Sequence, residues 1–207
     1  MIKSFLILIL LSSQVYAHPT SYKGAKSVMT WMQPFLWETW NSYSLDYDKA
    51  IAVRYQEAQM PNGRMKVAAP QLNWLAKRWN GSDYQANVYL YGGYGSAWLG
   101  QQQGGLGFGG IEIDAEDRQY YSMAKAEWMK ADFGRDSYSY AARLGIAPYA
   151  SAFDELAAWL MVQFQYHDSL IRKSAVTPLA RFYYRNVLWE IGMSTDGDAM
   201  ANLMFHF

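Results

Sequence analysis

Residues 199–207 read AMANLMFHF, and their parity decides how the chain is built. Ala199, Ala201, Leu203, Phe205 and Phe207 share one face of an extended segment, and Met200, Asn202, Met204 and His206 share the other. A period of two marks a strand, because successive side chains point to opposite faces.

The same period recurs through the chain. LAAWLMVQFQYH (156–167) sets Leu156, Ala158, Leu160, Val162, Phe164 and Tyr166 against Ala157, Trp159, Met161, Gln163, Gln165 and His167. DKAIAVRYQ (48–56) sets Ile51, Val53 and Tyr55 against Ala52, Arg54 and Gln56. GGIEIDAE (109–116) and SYSYAARLGIA (137–147) alternate in the same way. These segments predict strands with one apolar and one polar face.

Such strands build either a water-soluble sandwich, polar side out, or a membrane barrel, apolar side out. Three features favour the barrel. Several segments run for about 9–12 residues, a bilayer span at barrel tilt. Aromatic residues make up 17% of the chain, with 9 Trp, 17 Tyr and 9 Phe. They sit near segment ends (Trp37/Trp40, Trp74/Trp79, Tyr138/Tyr140), where amphipathic rings suit a membrane–water boundary. The apolar faces are also rich in Ala and Gly, as a surface that need not interlock allows.

The terminal stretch closely resembles the C-terminal strand of bacterial outer-membrane β-barrel proteins, which ends in Phe with apolar residues at alternate positions. That resemblance implies an all-β, antiparallel, up-and-down transmembrane barrel. It also implies outer-membrane lipid around the barrel, and a β-barrel assembly machinery that reads the strand ending at Phe207. At the other end, Lys3, the apolar run 5–11 and Val15-Tyr16-Ala17 have the layout of a secretory signal peptide cleaved after Ala17. The expected organisation is a signal peptide (1–17), an N-terminal periplasmic stub (18–24) and one barrel (25–207), in the outer membrane of a Gram-negative bacterium.

Without Lys3 the chain keeps 17 basic against 18 acidic residues, a net of −1, so no basic excess exists to hold nucleic acid. With no cysteine, sheet closure and burial must hold the fold. No later run reaches the ~18 apolar residues of a membrane helix.

Turn residues divide the chain into strands near 25–33, 36–46, 49–58, 70–79, 84–93, 105–115, 118–131, 137–147, 154–166, 177–185, 187–194 and 199–207. Twelve is an even count that leaves both chain ends on the periplasmic side and also puts the long connections outside, with ten or eight as alternatives. The long connections, expected on the outer side, are 59–69, 94–105, 133–137 and 167–176.

Gly105, Gly107 and Gly110 spell G-x-G-x-x-G, but a strand-like stretch follows, so they read as a Gly-rich entry to a strand rather than a dinucleotide loop. By parity the lumen is lined by Arg54, Lys77, Glu112, Asp114, Lys125, Glu127, Arg143, Arg181, Arg185 and Glu190. Its cationic bias makes either a mildly anion-favouring pore for small solutes or ions, or an interlocked ion-pair plug. The expected function is therefore a passive, porin-like channel or a structural barrel, without enzymatic activity or cofactor.

Two alternatives come from other residues. His167 and Ser169, two apart on one face, look like part of the motif of the outer-membrane lipid A deacylases, although the following LIRKS does not continue it. That makes them the candidate pair of a lipid-modifying enzyme. His18, His206 and inward Met161, with Met123, Met129, Met200 and Met204, offer imidazole and soft thioether donors for a copper-handling barrel.

Overall fold

The structure, a computed structural model, describes residues 20–152 and 154–207. The expected signal peptide and His18 lie outside the described residues. Twelve strands alternate in direction: β1 (Lys26–Gln33), β2 (Leu36–Ser44), β3 (Lys49–Met60), β4 (Gly63–Asn80), β5 (Tyr84–Leu99), β6 (Gln102–Asp117), β7 (Tyr120–Ala131), β8 (Ser137–Ile146), β9 (Ala157–His167), β10 (Ser174–Tyr184), β11 (Val187–Met193) and β12 (Ala199–His206). Each pairs antiparallel with its sequence neighbours, and β1 closes on β12 from Ser27↔His206 to Met32↔Ala201. The fold is thus an all-β, closed, antiparallel barrel of twelve strands. Closure leaves no unpaired sheet edge, which a chain without cysteine needs.

Both chain ends lie at one rim, the near rim, with connections 45–48, 81–83, 118–119, 147–156 and 185–186. Connections 34–35, 61–62, 100–101, 132–136, 168–173 and 194–198 lie at the opposite, far rim. Residues 20–24, part of the expected stub, are tied down: Gly24 N donates to Ser44 O (2.8 Å) and Thr20 is buried.

Two expected loops are strand instead. Residues 59–69 and 94–105 pair to the tips of their hairpins, at Met60↔Gly63 and Leu99↔Gln102. Met65, Val67 and Ala69 alternate inward there and bury against Leu99, Leu106 and Met129, so the ladder runs on through the Gly-rich sequence. The longest connection, 147–156, is at the near rim, not the far one.

The apolar parity faces out. Ile51, Leu144, Leu160 and Val162 are exposed, as are Trp37, Trp74, Trp79, Tyr138 and Tyr140. Trp40 departs from the expected rim cluster: it is 2% exposed, inside the barrel against Trp31 and Tyr91. Spacing explains this, since residues 37 and 40 have opposite parity on one strand.

Glycines make the interior fit. A Cβ at Gly110 would stand 2.3 Å from the Tyr91 hydroxyl, and one at Gly93 would stand 2.7 Å from the Phe108 ring. The Gly-rich run 104–110 therefore lies in β6 and clears space for rings, with no helix after it to complete a dinucleotide site.

Candidate functional site: the closed interior

The inward parity of β2, β3 and β7 carries the first ion network. Arg54 Nε pairs with Glu38 Oε1 at 2.5 Å, and its Nη1 and Nη2 reach both oxygens of Glu127 at 2.7 and 2.9 Å. Nη2 also donates to Gln56 Oε1 (2.8 Å), while Trp40 Nε1 donates to Glu38 Oε1 (2.7 Å). The guanidinium carbon lies 4.7 Å from the Phe108 ring centre. The Arg54–Glu127 fork spans from β3 to β7, four strands around the ring, and so runs across the lumen. Lys125 stands beside it, 5.0 Å from Tyr91 and 5.1 Å from Trp40.

A second network occupies the opposite wall. Glu190 on β11 is 1% exposed and accepts from Arg143 Nη1 (3.0 and 3.1 Å), Arg181 Nε (2.6 Å) and Asn202 Nδ2 (2.5 Å). Arg143 also donates to Gln163, whose amide donates to Met200 Sδ (3.5 Å). Arg181 lies 4.7 Å from the Tyr121 ring. Asp114 takes a hydrogen bond from Asn87 (2.7 Å), and Arg78 donates to that Asn (2.7 Å). Charges this deep require such partners, because an unpaired ion out of water costs several kcal/mol, on the order of the stability of a whole domain.

The far rim has a lid. Connection 168–173 leaves β9 and reaches β3, six strands away in either direction around the ring. There Ile171 N donates to Gln59 O (3.2 Å), and Leu170, 4% exposed, packs with Leu36 and Ala58. Arg172 anchors the returning chain on Asp196 (3.2 Å) and Asp198 and sits 5.4 Å from the Phe35 ring. Phe35 holds a φ of 62°, unusual for a side chain of its size. Between lid and networks the free space is about 140 Å³, lined by Glu112, Tyr121, Met123 and Lys125, room for several waters.

Of the residues expected to line the lumen, Arg54, Glu112, Asp114, Lys125, Glu127, Arg143, Arg181 and Glu190 are inside. Lys77 and Arg185 are corrections. A bulge between Leu75 and Lys77 inverts the parity of late β4, so Lys77 points out beside Trp79 and Arg78 points in. Arg185 is exposed in the 185–186 turn with a φ of 53°. Glu38 and Glu116 are inside and were missed. Glu38 was legible from the parity of LWETW, where Leu36, Glu38 and Trp40 alternate. Among the described residues, inward cations are Arg54, Arg78, Lys125, Arg143 and Arg181. Inward anions are Glu38, Glu112, Asp114, Glu116, Glu127 and Glu190. The expected cationic bias is therefore absent.

His167 and Ser169 both border the 140 Å³ cavity. Ser169 Oγ pairs with Ser137 Oγ (2.8 Å), and Asp168 Oδ1 accepts from Ser137 Oγ and Tyr138 N (both 3.0 Å). Among the described residues no hydrogen bond joins the imidazole to the Ser169 hydroxyl. His206 Nδ1 meets Ser27 Oγ at 2.6 Å in the near rim. Met123 lines the 140 Å³ cavity, and the other inward methionines divide among packed clusters: Met161 with Met200, Met29 with Met204, Met65 with Met129. Each fills space against Leu or aromatic neighbours, the ordinary use of a flexible thioether.

No family model and no curated protein matches this chain.

Proposed function

We propose that this protein is an outer-membrane β-barrel of a Gram-negative bacterium whose lumen is closed by its own side chains, a structural barrel rather than an open pore. The observation that carries this reading is the pair of ion networks bridging the lumen, Arg54 with Glu38 and Glu127, and Glu190 with Arg143 and Arg181. A water-filled channel would leave such groups solvated and apart.

The membrane part rests on the outer wall. Leu144 and Leu160 are more than 60% exposed, amid exposed Val, Ile and Phe on every side of the barrel. An apolar surface that continuous calls for lipid. Exposed Tyr and Trp toward strand ends fit the boundary zones. The layout of residues 1–17 matches that of an export signal, and Phe207, stacked on Phe205 at 6.3 Å beside the alternating strand β12, is consistent with a strand read by the assembly machinery.

The test is to refold the mature chain, confirm a compact heat-modifiable species, and record in a planar bilayer. The reading predicts a silent barrel. Persistent discrete steps from wild-type protein would refute the closed lumen.

A further inference from the structure

Above the closed floor, at the far rim, lies a second space of about 460 Å³. Its size falls within the roughly 300–1,000 Å³ of small-molecule sites. The hairpin tips at 61–62 and 100–101 and the connections 132–136 and 168–173 wall it in. Its lining is apolar in depth, with Met65, Leu99, Leu106 and Met129 buried, Phe133 half-buried and Ile171 exposed nearer the opening. At its lip stand Arg135 and Lys173, both exposed.

The lip charges are available to a ligand. Arg135 uses one Nη2 contact, to the Asp168 carbonyl (3.2 Å), leaving most of its five donors. Lys173 is fixed through its backbone, its carbonyl accepting from His167 N (2.6 Å). Asp168, the one anion in the lining among the described residues, already has Oδ1 turned to Ser137 Oγ and Tyr138 N. An apolar chamber closed below and cationic at its lip has the polarity of a bound detergent-like anion. A cation would meet Arg135 and Lys173, and a neutral alkane would leave their charge unused.

We infer that this vestibule binds a single-chain alkyl anion, its chain among Met65, Leu106 and Met129 and its carboxylate or phosphate head at Arg135 and Lys173. The inference rests on the closed-barrel reading, because the floor formed by the lid and the inward apolar layer makes the space a pocket rather than the mouth of a pore.

The experiment uses the full mature barrel in nanodiscs of zwitterionic lipid, with a diazirine-bearing dodecanoate as photoprobe and peptide mapping as readout. Labelling should fall on the vestibule residues and drop at least fivefold with excess dodecanoate or dodecyl phosphate, the stronger competitor naming the head group. Dodecyltrimethylammonium should not compete. Arg135→Glu combined with Lys173→Glu, both exposed and outside the ion networks, should leave heat-modifiability unchanged and cut vestibule labelling at least fivefold. Labelling confined to outward residues such as Leu72 or Val162, equal competition by the ammonium, or full labelling in the charge-reversed variant would overturn the proposal. Conductance of the same preparation separates the two failures: steps refute the closed lumen, while lost or misplaced labelling in a silent barrel refutes the vestibule site alone.

Discussion

Removing Glu190 tests whether the ion networks hold the barrel shut and folded. Its carboxylate, 1% exposed, stands between Arg143 and Arg181 and takes a further bond from Asn202. Glu190→Ala strands two cations whose side chains are 8% and 14% exposed. Breaking a buried pair from one side costs about 3–5 kcal/mol, because the surviving charge stays desolvated. The neighbouring 140 Å³ cavity lets Arg181 recover some hydration, so the lower end, about 3 kcal/mol, is expected. With a urea slope of about 2 kcal/mol/M, the unfolding midpoint falls by about 1.5 M. Trp fluorescence of barrel refolded in phospholipid vesicles reads this, with gel mobility as a second probe. Replacing the whole set (Arg143→Met, Arg181→Met, Glu190→Leu) removes the stranded charge and should recover most of the loss. A midpoint drop below about 0.3 M for Glu190→Ala, some 0.6 kcal/mol on that slope, would refute the view that this site is dry and paired.

Leu170→Asp places a charge in the Leu36/Ala58 contact that fastens the lid, and should speed proteolytic cleavage within 168–173 while the barrel stays silent in a planar bilayer, because the ion networks still close the lumen. Leu160→Arg, on the outward face, should destabilise the lipid-embedded barrel by about 2–4 kcal/mol if residue 160 lies near the bilayer midplane; urea unfolding in vesicles measures it, and a neutral result would count against a lipid-facing wall. Gly110→Ala sets a methyl 2.3 Å from the Tyr91 hydroxyl and should cost about 1–3 kcal/mol, whereas Gly109→Ala, whose nearest contact is 3.6 Å, should stay within about 0.5 kcal/mol in the same assay.

Twelve strands were legible because alternation is a local property: each apolar parity can be read without knowing its partner strand. Strand ends were less so. The 59–69 stretch carries Pro61, Asn62 and Gly63, which announce a turn, and the turn is there; but it occupies only 61–62, and the ladder runs on through Met65, Val67 and Ala69. A turn signal marks a centre, not a width.

The candidate site was legible as a list and not as an arrangement. Parity put Arg54 and Glu127 inside, but nothing local says that residues 73 apart in sequence meet as a two-pronged pair. That meeting depends on register and tilt accumulated over four strands, and one irregularity alters it. The bulge at Leu75/Lys77 shows the size of the effect: one extra residue sends Lys77 to the outer wall and turns Arg78 onto Asn87. Parity errors of this kind do not average out. Exchanging one Lys for an Arg leaves the count of inward cations unchanged. Placing Arg185 in its turn and adding Glu38 and Glu116 to the interior removes the cationic excess on which an anion-selective pore depended. The sign of a lumen's field is thus set by two or three residues, while the barrel that holds it is set by more than a hundred. That imbalance is why a sequence can specify such a fold plainly and leave its interior chemistry to the register.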